Sequence, residues 1–183
     1  MNKPYKLGII VGRFQTLHKG HVEMISTALG LCETVGIFIG SSQESGTANN
    51  PFTYKTRRVM IENVFGTAVK VFPLPDIGVG NTAKWGEYVL SNVRERFGEL
   101  PDLLVSGKET RRSDWLNYDE GRTIAELYVP KTVEISASEM RGLLIADKRE
   151  EWCGFSPAQN HYLYGTLREQ AIASKDNLNT MSV

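Results

Sequence analysis

Gly12-Arg-Phe-Gln-Thr-Leu-His18-Lys-Gly20-His21 follows directly on the apolar run Leu7-Gly-Ile-Ile-Val11. The run reads as a strand, and His21-Val22-Glu-Met24-Ile25-Ser-Thr-Ala28-Leu29 reads as the amphipathic helix that leaves it. A helix that starts at the carboxyl edge of a sheet carries amides with no partner inside the helix, and the positive end of its dipole favours a bound phosphate. Gly20 leaves room for a ligand against the backbone. Imidazoles at His18 and His21, with an ordinary pKa of about 6.5, donate hydrogen bonds to phosphate oxygens when a polyphosphate holds them protonated. A lone histidine would more simply line the helix start. Two of the chain's three histidines, flanking a glycine at this turn, point to a polyphosphate grip.

Working outward, strand and helix patterns alternate. Leu7–Val11, Val35–Gly40, Val69–Leu74 and Leu103–Ser106 read as strands, with helices over His21–Cys32, Thr53–Phe65 and Trp85–Phe97 between them. Ile124–Val129 reads as the last strand and Ser138–Ala146 as the helix after it. Such alternation implies an α/β fold of the Rossmann-like, doubly wound kind: a mostly parallel sheet with helices on both faces. Ligands on such sheets bind beyond the carboxyl ends of the strands, where the segments singled out here lie. Residues 1–152 are expected to form one α/β domain, and 153–183 a helical extension of it. Pro157 is placed to start a closing helix through Gln170, and Ser174–Val183 is polar enough to fray.

A length of 183 residues with 41% apolar residues suits a single core. Twenty-one basic residues balance twenty-one acidic ones, so no net positive field attracts nucleic acid or an anionic membrane, and phosphate binding has to be local. Cys32 and Cys153 have no scaffold or metal spacing, and no secretory or membrane-spanning segment is visible, which fits a reduced cytoplasm. A homo-oligomer is neither indicated nor excluded.

A second element lies far downstream. Ile135-Ser136-Ala-Ser138-Glu139-Met140-Arg141 opens the late helix, with Ser138 suited to its N-cap and Arg141 one turn in. From there a guanidinium reaches a phosphate that also touches the helix's amides, although an ordinary capped surface helix reads the same way.

Arg13 leaves the first strand beside the glycine turn and suits phosphate binding. The polar loop from Ser41 to Phe52 joins a strand end to a helix start. Trp85 follows a Gly- and Asn-containing loop, where an indole stacks well on a cationic ring or packs in a core. Asp76 and Asn81 suit hydrogen bonds to a ribose or carboxamide, or simple turns. Lys108, with Arg111 and Arg112, is placed to close over a triphosphate or to cover a loop, and Lys19 fits either a ligand contact or solvent. Gly78-Val-Gly80-Asn-Thr-Ala83 matches a dinucleotide fingerprint only formally, because Pro73 and Pro75 part it from a strand; no P-loop occurs. His161, Trp115 and Trp152 read as packing.

HKGH and ISASEMR resemble the two signatures of the nucleotidylyltransferase superfamily, HxGH and ISxTxxR, with Ser138 where threonine is usual. GRFQ (Gly12, Arg13, Phe14, Gln15), Asn50-Pro-Phe-Thr53, Arg57, Pro75-Asp76-Ile77, Asn81 and Trp85 extend the likeness to nicotinamide mononucleotide adenylyltransferases of the archaeal type, over about residues 7–146. Thr16 where proline is usual, a longer loop from Pro75 to Trp85, and Ser106-Gly107-Lys108 for Ser-Gly-Asn depart from that pattern. The resemblance implies AMP transfer from ATP, carried with Mg2+, to a pyridine mononucleotide. In it His18, His21 and Arg141 are catalytic. Gly12, Arg13, Phe14, Gly20, Ser136, Ser138 and Lys108 hold ATP, while Arg57, Asp76, Asn81 and Trp85 hold the acceptor. No protein-held metal is expected. Another phosphorylated acceptor, CTP in place of ATP, and a non-catalytic nucleotide sensor are the alternatives. A class I aminoacyl-tRNA synthetase shares a related histidine motif but carries an anticodon module.

Overall fold

The computed structural model describes residues 2–107 and 111–180. Five strands, β1 (Tyr5–Gly12), β2 (Cys32–Gly40), β3 (Lys70–Leu74), β4 (Leu103–Ser106) and β5 (Ala125–Tyr128), pair in parallel in the order β3-β2-β1-β4-β5. Between and after them run α1 (Lys19–Leu31), α2 (Tyr54–Phe65), α3 (Ala83–Phe97), α4 (Arg111–Asp114), α5 (Ala137–Ile145), α6 (Arg149–Phe155) and α7 (Tyr164–Thr180). This is the Rossmann-like α/β architecture that the alternation predicts. The chain winds outward from β1 to β3, then returns to place β4 on the other side of β1. That reversal makes the carboxyl ends of β1 and β4 a topological switch point, where open α/β sheets bind ligands.

The chain divides into two compact units. The first, Met1–Gly12, Met24–Gly40 and Ala68–Lys131, contains the sheet. Alternate residues Leu7 and Ile9 of β1, with Phe38 and Leu104, pack against Trp85, Val89, Leu90 and Val93 of α3. Residues spaced four, one and three apart make one apolar stripe on a helix, which is why α3 forms and lies flat on the sheet. At Gly86 α3 comes so close to the following turn that an added Cβ would lie 1.9 Å from the Trp115 carbonyl oxygen. Gly98 then ends the helix at a φ of 76°, its amide donating to the Arg94 carbonyl. Right-handed crossovers put α1, which joins β1 to β2, on the face opposite α3, which joins β3 to β4.

The second unit comprises Arg13–Glu23, Ser41–Thr67 and Thr132–Val183. The C-terminal segment, which the sequence left without a role, is part of its core. Tyr164, Leu167, Ala171 and Ser174 form a buried stripe along α7, and Trp152 of α6 is fully buried with the Tyr164 ring 5.4 Å away in an edge contact. The polar stretch from Ser174 continues α7 to Thr180, with residues 181–183 outside those described, and the Ser174 hydroxyl donates back to the Gln170 carbonyl at 2.7 Å. Asn160 fastens the segment to α2, donating to the Met60 carbonyl at 3.0 Å and accepting from Asn63 Nδ2 at 2.8 Å. His161, read as structural, lies with Nε2 3.2 Å from the Cys153 carbonyl.

Candidate active site

The chain leaves β1 at Gly12 and enters a turn that is unusual for a connection, because Phe14, Gln15, Thr16 and Leu17 are all buried. Buried loop backbone has to find partners, and here side chains supply them. Phe14 adopts a φ of 52°, in the left-handed region that a bulky residue enters only when its surroundings hold it there. Its ring lies 4.9 Å from that of His21, against which it packs.

His18 opens α1. Its carbonyl accepts from the amides of His21 at 2.9 Å and Val22 at 3.1 Å, while its own amide donates to His21 Nδ1 at 3.4 Å. With Nδ1 as acceptor, a neutral His21 ring carries its proton on Nε2, which is then its donor. The two imidazoles stack with centroids 3.8 Å apart, and His18 is only 5% exposed. Gly20, expected to leave space for a ligand, leaves it for an imidazole: a Cβ there would sit 3.2 Å from His18 Nδ1.

Arg141 reaches this turn from α5. Its Nη1 donates to the Gln15 carbonyl at 2.8 Å and its Nη2 to the Ser138 hydroxyl at 3.1 Å, with the side chain 9% exposed. Ser138 is therefore not the N-cap expected from the sequence. Ser136 caps α5, its hydroxyl accepting from the Glu139 amide at 3.2 Å while the Ser136 amide donates to the Glu139 carboxylate at 2.7 Å. This capping box needs an acidic residue three positions after the serine, which only Ser136 has. Ser138 is left in the first turn to orient the arginine.

Arg13 is exposed, yet its charge is felt by both buried arginines. Burial and then repulsion by Arg13 hold the Arg141 guanidinium below its ordinary value. The same two causes push Arg57 down to about 10, with Glu44 opposing, so both remain cations at neutral pH. Three guanidiniums thus gather around one turn, a charge distribution that an oligophosphate relieves.

Arg57 departs from the expected phosphate contact. It is 0% exposed, and its donors go to the carbonyls of Arg13 at 3.0 Å, Ser41 at 3.0 Å and Thr53 at 3.3 Å. The sequence reading also missed what Gln15 and Phe52 do. Gln15 Oε1 accepts from the Phe52 amide at 3.0 Å and Gln15 Nε2 donates to the Phe52 carbonyl at 3.3 Å. GRFQ and NPF were visible as motifs, but nothing in either shows that they pair.

The other residues expected at the acceptor belong to the sheet-bearing unit. Trp85 is 8% exposed and packs in the core, its ring 6.1 Å from Trp115 in an edge contact, so little of its face is open to a ligand. Asn81 is exposed and accepts from Trp115 Nε1 at 3.1 Å, and Asp76 is exposed and accepts from the Gly78 amide at 2.9 Å in a local turn. Lys108 lies outside the described residues. Among the described residues, no group of three or more His, Cys, Asp or Glu side chains converges to hold a metal, and no helix is long and apolar enough to cross a membrane.

The chain belongs to the cytidylyltransferase-like family, whose model matches residues 9–143. It is 39% identical over 88 residues to a nicotinamide-nucleotide adenylyltransferase of Saccharolobus solfataricus, an alignment covering 45% of this chain and 50% of that protein. It is 38% identical over 107 residues to the enzyme of the same name from Aeropyrum pernix, covering 55% and 58%. The chain thus spans about half the length of the curated relatives it matches. Among solved structures, a bifunctional NMN adenylyltransferase/ADP ribose pyrophosphatase from Francisella tularensis superposes with a TM-score of 0.76 at 22% identity, covering 97% of this chain and 55% of that one. The same bifunctional protein complexed with AMP and a manganese ion gives a TM-score of 0.71 at 20% identity, covering 96% and 54%. At these identities the likeness is one of fold.

Proposed function

We propose that this chain is a nicotinamide-nucleotide adenylyltransferase, which joins AMP from ATP to nicotinamide mononucleotide to give NAD and pyrophosphate. The observation that carries the reading is the meeting of the two signature segments: Arg141 bonds to Gln15, on the turn that ends in the stacked pair His18 and His21. The names of the archaeal relatives support a pyridine mononucleotide as acceptor, and the amide over the acid form.

In this reading a phosphate oxygen of the mononucleotide attacks the α-phosphorus of ATP. The bond from that phosphorus to the oxygen it shares with the β-phosphorus breaks, and pyrophosphate leaves with the electron pair. No covalent enzyme intermediate forms, so catalysis rests on alignment and on stabilising charge at oxygen. His21 donates from Nε2 to an α-phosphate oxygen, held in place by the His18 amide on Nδ1 and by the Phe14 ring. Arg141, with Arg13 beside it, takes the charge that develops on the departing pyrophosphate. Mg2+ enters on the triphosphate as part of the substrate, the role suited to a hard cation that keeps its waters and bridges phosphates. Gly12, Gly20, Ser136 and Ser138 shape the ATP side. Asn81 and Asp76, both exposed, are the side chains that would contact the acceptor's ribose or carboxamide.

Purified protein supplied with ATP, Mg2+ and nicotinamide mononucleotide should form NAD and release pyrophosphate in equal amounts. Parallel reactions replace ATP by CTP, and the mononucleotide by its acid form or by phosphorylated acceptors without a pyridine ring. Faster turnover with CTP or a non-pyridine acceptor would overturn the substrate assignment. ATP binding without pyrophosphate release under any pairing would overturn catalysis and favour a nucleotide sensor.

A further inference from the structure

The geometry points to Arg57 as a positioning residue that, with Gln15, locks the loop from Ser41 to Phe52 onto the turn that carries His18. This deepens the proposed adenylyltransferase reading and rests on it. An arginine that grips a phosphate keeps part of its fork open towards the ligand, whereas Arg57 is 0% exposed and divides its fork among main-chain oxygens. Nη1 donates to Arg13, the first residue after β1, and Nη2 donates to Ser41, the first residue after β2. One side chain therefore joins the two segments that leave neighbouring strands.

Gln15 closes the far end of the same loop. Its amide pairs with both main-chain groups of Phe52, as a strand partner would, and its Nε2 also lies 3.4 Å from Asn50 Oδ1. Its own carbonyl receives Arg141. From Arg13 to Gln15 the turn is thus held at three places: by Arg57 at the Arg13 carbonyl, by Phe52 at the Gln15 side chain, and by Arg141 at the Gln15 carbonyl. His18 follows after Thr16 and Leu17. The direction in which the imidazole pair faces is set by this interlock, because the turn has no sheet partner to fix it. Charge-assisted bonds from a buried guanidinium are among the stronger ones, so Arg57 is suited to hold such a turn.

The test uses the full chain carrying Arg57→Lys or, separately, Gln15→Met, with amide hydrogen exchange measured on ligand-free protein and steady-state kinetics beside it. A lysine keeps the charge but has one nitrogen in place of the planar fork whose two ends reach the Arg13 and Ser41 carbonyls, and methionine keeps the length of Gln15 without its polar pair. Both variants should exchange the amides of residues 41–52 faster by about tenfold or more, the scale of losing one such bond. The KM for ATP should rise by a similar factor while kcat at saturation falls less, since bound nucleotide restores the arrangement. Unchanged exchange in that loop together with a raised KM would make Arg57 a direct phosphate ligand and overturn the proposal. Faster exchange with KM and kcat both unaltered would reduce the interlock to a structural feature and overturn it as well. The exchange measurement needs no turnover, so it distinguishes failure of this proposal from failure of the adenylyltransferase reading. Should the wild type make no dinucleotide, the affinity for inorganic pyrophosphate measured by calorimetry takes the place of KM.

Discussion

Arg141 donates from Nη1 to the main-chain oxygen of Gln15 at 2.8 Å, joining positions 126 apart in the chain. One arginine is in this way both a strut for the turn before His18 and a candidate ligand for the phosphate that the turn would hold. Arg141→Ala removes both. It should lower kcat/KM for ATP by about a hundredfold or more, the scale of losing one transition-state donor. Arg141→Lys keeps the charge but not the fork, and should fall between the two in steady-state assays.

His21→Ala removes the donor edge that Phe14 and the His18 amide hold in place. The expected drop in kcat is on the order of a hundredfold or more, with the KM for ATP much less affected. Full turnover in this variant would remove His21 from the mechanism.

Gly20→Ala places a methyl 3.2 Å from His18 Nδ1, so the imidazole has to give by a few tenths of an ångström. The backbone there is helical and accepts alanine, and alanine favours helix by up to about 1 kcal/mol over glycine. We expect a melting temperature equal to or above that of the wild type and a lower kcat. A fall in stability with unaltered kcat would count against the placement of His18.

Gly86→Ala tests the sheet-bearing unit, where the added Cβ would meet the Trp115 carbonyl oxygen at 1.9 Å. Backbone cannot yield as a side-chain end can. Thermal or denaturant unfolding should show a loss of about 3 kcal/mol or more, the upper range for overpacking.

Trp152 tests the C-terminal segment. It is fully buried, and its Nε1 finds no acceptor among the described residues. Trp152→Ala should cost about 3–5 kcal/mol in denaturant melts. Trp152→Phe should cost far less, because it loses some volume but also removes a buried donor that lacks a partner.

Much of this molecule was legible in its residues. The strands overlap the apolar runs read in the sequence, and β4 coincides with its predicted limits at Leu103–Ser106, whereas β2 begins at Cys32, directly after α1 and ahead of the run from Val35. Helix ends were less legible where two serines competed. Ser138 and Ser136 are both good caps by type, and the choice fell to Glu139, whose reach back to an amide has meaning only once the turn exists. Arg57 shows the limit more sharply. Its motif places it beside Thr53 at the head of α2, but whether a guanidinium faces solvent or three carbonyls depends on segments that no local pattern ties together.

The sequence alone determined the parallel α/β class, the glycine-flanked histidine pair at the first strand end and the arginine of the late helix, because these follow from periodicity and from short-range stereochemistry. Only the tertiary structure decided that Trp85 is a core residue, that Arg57 is buried, that Gln15 pairs with Phe52, and that α6 and α7 belong to the core of the second unit. Those are contacts between residues distant in the chain. Burial and hydrogen-bond partners are properties of the packed whole, and a side chain's chemistry does not reveal which of its possible neighbours will occupy it.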